Sequence, residues 1–477
     1  MDKLKVAVVG TGPAGLVAAF ALHNDRQSRY DVTILEAVSI LRLHASRFIA
    51  NYFLQNSGLS LDGHSYDWVN PESGQRTRID VPMRVFSGRY YQNLFYLLEY
   101  LGIPSVERRF LFAFADDVGT ISRYYFFHSS NNHRFPRICR RSSGVSGTLA
   151  ALWTFLQVLC CYIWLSIACF WVPPMVQGRE GKKTETMGEY LGRLRLPTFF
   201  IEDYLVPLFS SVSSSPHRLF LNFPAVYLTD YKRQTHLFPH RTSVSMTLLQ
   251  DRLTQGISVT YSAKVTGVKP FEGRLKLSYQ DINSGNSETV IFDRVILAVN
   301  PKQTSAIYPP TSYVMDKLQT SDVRVVVHRD YNCLPEQSSE LVHDSRSELI
   351  AMQIKLDSTG GKTTVATHAH PSGVLVTVWP GNQDLVSIDR SKILHESKFV
   401  RLLSDTTSRN SLAGLFRERF NKSKESPWLN GEDGVYVAGG WAWDGFALLE
   451  GCVWSGLQTA RSIGAELPFT PVERRWR

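Results

Sequence analysis

The stretch "LKVAVVGTGPAGLVAAFALHN", Leu4 to Asn24, decides the fold class of this chain. Leu4 to Val9 is a short run rich in β-branched residues, which is typical of a buried parallel strand. Gly10, Gly12 and Gly15 then form the pattern G-x-G-x-x-G, and the residues after them favour a helix. A strand, a glycine-rich turn and a helix in this order predict a dinucleotide-binding Rossmann unit.

The three glycines have separate roles in such a unit. Gly10 allows the tight turn, Gly12 lets backbone approach a pyrophosphate, and Gly15 lets the helix pack closely on the strand. The helix N-terminus supplies N–H donors and the positive end of the helix dipole. The next run, "YDVTILEA", predicts a second strand, and its Glu36 lies about 20 residues beyond Gly15, where an acid binds a ribose hydroxyl. The predicted cofactor contacts here are Gly10, Gly12, Pro13, Ala14, Gly15, Glu36 and Ala37.

A second glycine-rich element lies near the C-terminus, in "GVYVAGGWAWDGFALLEGCVWSGLQTARSIG", residues 434–464. It predicts a strand, a Gly439-Gly440 turn, a loop and a helix with small residues on one face. The N-terminus of that helix can stabilise an anionic pyrophosphate or the N1–C2=O region of a flavin. We therefore predict further cofactor contacts at Gly439, Gly440, Leu449 and Glu450.

Further motifs extend along nearly the whole chain. They are "GLSLDGHS", "RIDVPMRVF", "YYQNLFYLLEYLGI", "MGEYLGRLRLPTFFIEDYLVPLFSSV", "FPAVYLTDYKRQTH", "DRVILAVNP", "VVVHRDYNCLP" and "GGWAWDGFALLEGCVWSGLQTA". Together with the Gly10–Gly15 fingerprint and Glu36, they resemble the flavin-containing amine oxidase superfamily, in particular its predicted NAD/FAD-binding branch. The resemblance implies FAD held across the carboxyl edge of the sheet. A single G-x-G-x-x-G without a second NAD-type unit also fits FAD better than NAD.

The expected fold class is α/β, with a Rossmann-like FAD-binding domain of the amine-oxidase type and an inserted α+β substrate domain. The 477 residues exceed the size at which one core usually stops growing. Residues 258–281 predict three strands, which include the candidate cofactor contact Val265, and residues 288–301 predict one more. The expected boundaries are 1–79, 256–304 and 429–467 for the FAD-binding domain, 80–255 and 305–428 for the substrate domain, and 468–477 for a tail.

Two features depart from the family pattern. The usual R-x-G-G-R/H after the acid is replaced by "GLSLDGHS", in which Gly58 is kept as a candidate cofactor contact. Family members with covalent flavin carry a cysteine before the terminal glycine-rich loop, whereas Cys452 lies after it, inside the predicted helix. We therefore expect non-covalent FAD and a packing role for Cys452.

Charge and cysteine usage narrow the class further. The net charge is +9, but the basic residues are dispersed apart from "RFPRICRR" and "REGKK", and no nucleic-acid recognition motif accompanies them. We expect no nucleic-acid partner. The six cysteines show no metal-ligand spacing, so no metal site is predicted. A strand directly after the N-terminus predicts no secretory signal, and hence an intracellular protein, cytoplasmic or peripherally bound to a membrane.

Residues 148–174, "TLAALWTFLQVLCCYIWLSIACFWVPP", form an uncharged apolar run long enough to span a bilayer. A single span would place the segments of the FAD-binding domain on opposite sides of the membrane. We therefore favour a hydrophobic helix or hairpin that packs on the substrate domain or enters one leaflet.

The cluster "YLTDYKRQTH", residues 227–236, is the best candidate for a substrate-site lining. Lys232 or His236 would act as a base there, and a solvated loop is an equally good interpretation. His328 lies on a predicted strand and is expected to be a hydrogen-bonded sheet residue. No nucleophile–base constellation is found, as expected where a cofactor supplies the chemistry.

Three functions are consistent with these features. The first is an FAD-dependent oxidase or dehydrogenase that removes hydride from a lipophilic small molecule, as an enzyme of secondary metabolism would. The second is a redox-neutral isomerase or desaturase-like enzyme acting on a polyene or fatty acyl chain. The third is a non-catalytic, membrane-associated protein with a flavin fold. The motifs favour the first.

The segment Val38 to Gln55 interrupts the expected spacing between Glu36 and Gly58. It fits a basic amphipathic helix at a membrane surface, with Leu41, Ala45, Phe48 and Tyr52 on one side. It also fits a helix covering the adenine end of FAD. The third interpretation, which we favour, is a retained intron. Val38-Ser39 can be encoded by a eukaryotic 5′ splice signal, Ala50-Asn51 by a branch-point sequence, and the segment's end by a pyrimidine-rich tract closing in CAG.

The intron interpretation makes a prediction about transcripts. Most cDNA should lack the codons for residues 38–55 and encode "ILEANSGLSLDGHS", because removal of the segment restores the family spacing. Sequencing of reverse-transcribed transcripts across this region checks it. A single transcript species that carries the segment would contradict the interpretation.

Overall fold

The structure is a computed structural model that describes residues 2–37, 65–116, 123–139, 145–176, 183–243, 246–335, 347–416 and 428–472. Gly58 and the segment 38–55 lie outside these residues. The strands are, in chain order, β1 Leu4–Val9, β2 Tyr30–Leu35, β3 Ser65–Val69, β4 Arg76–Asp80, β5 Phe86–Ser87, β6 Ser105–Arg108, β7 Phe110–Asp116, β8 Arg123–Ser129, β9 Arg137–Ile138, β10 His240–Ser243, β11 Ser258–Thr260, β12 Ala263–Phe271, β13 Arg274–Asp281, β14 Ser287–Phe292, β15 Arg294–Leu297, β16 Thr320–His328, β17 Glu348–Leu356, β18 Lys362–His370, β19 Val374–Pro380, β20 Ile393–Leu402 and β21 Val435–Val437.

The helices of seven or more residues in this part of the chain are α1 Pro13–His23, α2 Gln92–Tyr100, α3 Val145–Trp171, α4 Met187–Arg193, α5 Val206–Ser213, α6 Ala225–Thr235, α7 Met246–Thr254, α8 Pro301–Ile307, α9 Thr406–Leu415 and α10 Leu449–Ile463. Pro207 lies in the first turn of α5, directly after a π-helical turn at Ile201–Leu205. Proline suits this position since it has no N–H to donate.

A parallel five-stranded sheet, in the order β11-β2-β1-β15-β21, forms the predicted Rossmann half. Its central strand β1 is apolar on both faces. Val6 and Val8 pack into one core with helices α1 and α10, whereas Ala7 and Val9 pack into another with the antiparallel strands β12 and β13. Successive side chains of a strand point to opposite faces, so a strand between two cores needs a continuous apolar run.

Strands β12, β13 and β14 form a separate antiparallel sheet. The three strands predicted in residues 258–281 are present as β11, β12 and β13, but the prediction of one strand in residues 288–301 was wrong. The chain changes sheets at Asp293, between β14 and β15. The Lys5 N–H donates to the Asp293 carboxylate at 2.7 Å, and the Asp293 N–H donates to the Lys5 carbonyl at 2.8 Å. The change of sheet falls at the charged pair Asp293-Arg294, which separates two short apolar runs in the sequence.

An eight-stranded sheet, in the order β20-β16-β19-β18-β17-β7-β8-β9, dominates the other half. Its strands come from both sides of α3 in the sequence. The two groups meet at the pair β7 and β17, which is parallel and begins with Phe110 opposite Glu348. The strands before and after α3 therefore lie in one continuous sheet.

The apolar run 148–174 forms most of α3, a single helix of 27 residues. It is the one helix in the described part of the chain whose length and composition suit a membrane span. One face packs on the protein through Val158, Leu165 and Ala168. The opposite face exposes Leu149, Leu152, Trp153, Leu156, Ile163, Trp164, Ile167, Phe170 and Trp171. Because the segments before and after α3 contribute strands to one sheet, a single crossing of a bilayer by α3 would place those strands on opposite sides of the membrane.

Candidate functional site

The turn after β1 has the geometry that its glycines predict. Gly10 has φ +99°, and a Cβ there would lie 2.8 Å from the Ala298 carbonyl oxygen. Gly12 is the N-cap of α1, and Pro13 follows in the first turn. A Cβ at Gly15 would lie 2.3 Å from the Gly10 carbonyl oxygen. Backbone therefore occupies the space that side chains would need, and the N-terminus of α1 opens at the carboxyl edge of the sheet.

Glu36 follows β2 at the same edge and is buried. Its carboxylate accepts hydrogen bonds from the Thr11 N–H at 3.1 Å and from the Thr11 hydroxyl at 2.5 Å. Ala263 N–H donates to the Glu36 carbonyl, which brings β12 with Val265 alongside the exposed Ala37. A carboxylate accepts several hydrogen bonds, so Glu36 can hold the turn and still bind a ribose hydroxyl.

The second glycine-rich element follows β21. The Ser455 hydroxyl accepts from the Gly439 N–H at 3.1 Å and donates to the Gly439 carbonyl at 2.9 Å. A Cβ at Gly440 would lie 2.9 Å from the Cys452 sulfur. Burial raises the pKa of the Cys452 thiol to about 12, so this cysteine is a neutral packing group.

Helices α1 and α10 cross in direct backbone contact. A Cβ at Gly456 would lie 2.6 Å from the Ala14 carbonyl oxygen and 3.1 Å from the Ala18 nitrogen. The crossing places the N-termini of both helices, at Pro13 and Leu449, at one edge of the parallel sheet. Two helix N-termini directed at one space favour an anionic ligand such as a diphosphate.

Glu450 was predicted as a cofactor contact, and its side chain has a different partner. Its carboxylate is fully buried and accepts from the Asn93 N–H at 3.1 Å, the Asn93 side-chain amide at 2.8 Å and the Leu94 N–H at 3.0 Å. These donors form the first turn of α2, so the carboxylate caps that helix. Only the backbone of Glu450 remains for a cofactor.

A cavity of about 1010 Å³ begins at this edge, where Pro13, Leu449 and Cys452 line it. It continues between the eight-stranded sheet and α3. Its apolar walls include Phe110, Phe112, Phe126, Ile350 and Met352 from the sheet and Phe155, Val158, Leu159, Tyr162, Ile163 and Leu165 from α3. One space therefore connects the predicted cofactor edge with an apolar chamber.

Both predicted base candidates line this cavity. Lys232 lies on α6 without a hydrogen bond or ion pair to any described residue, and burial lowers the pKa of its ammonium group. His236 follows one turn later, against Phe170 at a centroid distance of 5.8 Å, and burial lowers its pKa too. The interpretation of this cluster as a solvated loop was wrong, because Lys232 is held on a helix that packs against α3.

The other histidines separate into lining and structural residues. His328 is outside the lining; its Nε2 lies 2.8 Å from the Thr377 hydroxyl and its Nδ1 accepts from the Asp330 N–H, as expected for a sheet residue. His128 and His240 line the cavity, and burial lowers the pKa of each to about 4. Both are therefore neutral near pH 7.

Sequence reasoning missed two arginines of the cavity, Arg84 and Arg401. Arg84 forms an ion pair with Asp80 at 3.3 Å. Arg401 lies near the end of β20, and its Nε is buried without a hydrogen bond to any described residue. The alternation of β20 could have predicted that Arg401 faces the interior. Arg401 lies on the same face of the strand as Ser397 and Phe399, whereas Lys398 and Val400 on the other face are exposed.

Comparisons with known proteins agree with this geometry. The family of NAD(P)-binding Rossmann-like domains matches residues 8–101. No curated protein matches the sequence. Among solved structures, cyclohexylamine oxidase from Brevibacterium oxydans IH-35A is similar with a TM-score of 0.55 and 11% identity, over 97% of this chain and 98% of that chain.

Two further structures are similar to the same extent. Putrescine oxidase bound to putrescine has a TM-score of 0.55 at 14% identity, over 97% of this chain and 99% of that chain. A CLA-producing fatty acid isomerase from P. acnes has a TM-score of 0.55 at 13% identity, over 96% of this chain and 98% of that chain. The chain contains a NAD(P)-binding Rossmann-like domain. More particularly, it has the fold of the flavin amine oxidases, which confirms the expected fold class.

The helix crossing gives a testable prediction. Gly456→Ala should lower the free energy of unfolding by about 1–3 kcal/mol, because the added methyl group meets backbone that cannot move aside. Thermal or denaturant unfolding measures the change.

Gly192→Ala is the matched control, since Gly192 lies on α4 and a Cβ there meets nothing within 4 Å. It should stabilise the protein by up to about 1 kcal/mol through helix propensity. Equal stability of the two variants would contradict the close packing.

Proposed function

We propose that this chain is an FAD-dependent oxidoreductase that transfers hydride from a lipophilic small molecule to the flavin. The observation that carries the proposal is one continuous cavity that runs from the N-termini of α1 and α10 into an apolar chamber. A substrate of a flavoenzyme has to reach the reactive ring, and a largely apolar path selects lipophilic molecules. The fold shared with flavin oxidases supports the same class of enzyme.

The residues at the sheet edge fit FAD. The backbone amides at the starts of α1 and α10 would hold the diphosphate, and Glu36 would bind a ribose hydroxyl. Gly10, Gly12, Gly439 and Gly440 keep side chains out of the cofactor's way. The flavin, when bound, supplies the acceptor for a hydride. We propose that it is non-covalent, because the Cys452 thiol is neutral and packs on Gly440.

The protein itself contributes an apolar enclosure around the substrate and a base that accepts a proton from it. Aromatic side chains of the sheet and of α3 exclude water from the bound substrate. Lys232 is our candidate for the base that takes a proton from the substrate. Burial lowers the pKa of Lys232, so a larger fraction of the amine is neutral than in water. His236, one turn away, is the second candidate.

A second function, a redox-neutral isomerase or desaturase of a polyene or fatty acyl chain, is favoured by the apolar chamber. The same fold occurs in a CLA-producing fatty acid isomerase. Oxygen consumption or hydrogen peroxide formation with turnover separates this function from the first. A third, non-catalytic function requires a protein without flavin absorbance.

We further propose that α3 rests in one leaflet of a membrane and that substrates enter from it. Leu159, Ile163 and Ile167 line the cavity and are also 40%, 51% and 47% exposed, so they form the rim of its mouth. Leu237, 79% exposed, completes an apolar border. The C-terminal end of the helix is attached to α4, because the Tyr190 hydroxyl shares its hydrogen between the carbonyls of Ala168 and Val172.

The purified protein should be yellow and should bleach anaerobically with its substrate. Absorbance in the visible flavin bands measures cofactor content, and bleaching with candidate lipophilic compounds measures hydride transfer. Acid precipitation and washing should leave a colourless pellet, since the flavin is not covalently attached. Protein that is folded, takes up no added FAD and shows no flavin bands would contradict the proposal.

The membrane contact is tested by flotation with liposomes that contain anionic lipid. The wild type should float. Joint replacement of Leu149, Leu152 and Trp153 by Gln should reduce binding at least about tenfold, because each side chain is more than half exposed and burying one in lipid contributes roughly 1.5–3 kcal/mol.

Leu356→Gln is the control, an exposed leucine on β17 away from α3. Its binding should equal that of the wild type. A wild-type protein that stays wholly in the aqueous fraction without detergent would contradict the proposal.

A further inference from the structure

We infer that the cavity selects an apolar carboxylic acid, rather than an amine, and that Arg401 binds its carboxylate. This inference rests on the proposed function and specifies its substrate class. The amine oxidases with the same fold would suggest an amine substrate. The inference of an acid comes instead from the charged side chains that line the cavity.

The lining contains basic side chains but no carboxylate among the described residues. Among the described residues, the cavity is lined by Arg84, Lys232 and Arg401 and by four histidines, but by no aspartate or glutamate. An ammonium group entering this space would find no carboxylate to pair with and would meet cations instead. Burying such an unpaired charge is strongly unfavourable. An anion, in contrast, enters a space whose fixed charge is complementary to it.

Arg401 is the cation with the strongest need of a partner. Its Nε is buried without a hydrogen bond, and its guanidinium makes no ion pair with the described residues. Burial lowers the pKa of Arg401 as well, which reflects the missing compensation. A guanidinium stays charged at all ordinary pH values and presents a planar fork that fits a carboxylate with two hydrogen bonds. Arg84 has less need of an anionic ligand, since Asp80 already offsets part of its charge.

The position of Arg401 agrees with a ligand that has an acidic head and an apolar tail. Tyr91 and Cys452, which line the cavity at its cofactor end, lie close enough to interact electrostatically with Arg401. From there the chamber continues along Phe112 and Phe126 towards Val158 on α3. A carboxylate at Arg401 would therefore leave the hydrocarbon chain between the sheet and α3, where the walls are aromatic and aliphatic.

The experiment uses the purified full-length protein with its flavin content recorded. Fluorescent cis-parinaric acid serves as the probe, and octadecenoic acid, its methyl ester and octadecenylamine compete for it. The wild type should bind the acid most tightly, the ester more weakly and the amine most weakly. Arg401→Gln should weaken the acid about 10- to 100-fold, as expected for a charge-assisted hydrogen-bonded pair, and leave the ester unchanged. Arg401→Lys should retain part of the preference for the acid.

Lys398→Gln is the matched control, because it removes one positive charge from an exposed position of the same strand. It should bind all three ligands as the wild type does. Circular dichroism and thermal unfolding establish that each variant is folded. If Arg401→Gln does not fold, the acid preference of Arg401→Lys tests the inference instead.

Three results would overturn the inference: equal binding of acid and ester by the wild type, tighter binding of the amine, or an equal loss of acid and ester in Arg401→Gln. A changed flavin spectrum or FAD affinity in Arg401→Gln, with unchanged preference for the acid, would assign Arg401 to the cofactor instead. A protein that binds no flavin but still prefers the acid through Arg401 would refute the proposed oxidoreductase and leave the acid site standing.

Discussion

Helices α1 and α10 approach so closely that one β-carbon at Gly456 would collide with the Ala14 carbonyl oxygen. This contact joins the first and the last segment of the Rossmann half. It aligns two helix N-termini on one edge of the parallel sheet, beside the glycine turns at Gly10 and Gly439-Gly440. The predicted cofactor edge, the start of the cavity and the position of Cys452 all depend on it, because each is carried by the ends of these two helices.

Buried polar groups around this edge fall into two groups. Glu450 is fully compensated by the first turn of α2, and Arg409 is compensated by Asp444 at 2.6–2.7 Å. These pairs hold elements of the fold together. Arg401 and Lys232 lack such partners among the described residues. Natural proteins leave buried charges uncompensated mainly where a ligand completes them, which distinguishes the cavity from the rest of the interior.

The parts of the site that the sequence could predict are those set by local geometry. The turn at Gly10–Gly15 and Glu36 were predictable, because a strand, a turn and a helix determine them within some thirty residues, on the order of one βαβ unit. Lys232 and His236 followed from a polar cluster on a short segment. The capping of α2 by Glu450 was not predictable, since Asn93 is distant in sequence and only the tertiary fold brings the two together. Arg401 was missed for the same reason. The alternation of β20 shows that its side chain faces the interior, but only the tertiary fold shows which residues surround it there.

The pairing of β7 with β17 has a consequence for the order in which this chain can fold. Phe110 has to find Glu348, and α3 lies between them in sequence. During synthesis the apolar helix is complete long before its sheet can close, since domains fold from the N-terminus as the chain emerges and long-range pairing is slow. The nascent chain therefore presents an unprotected hydrophobic helix to its surroundings, and a nearby bilayer or a chaperone would receive it before its own sheet does.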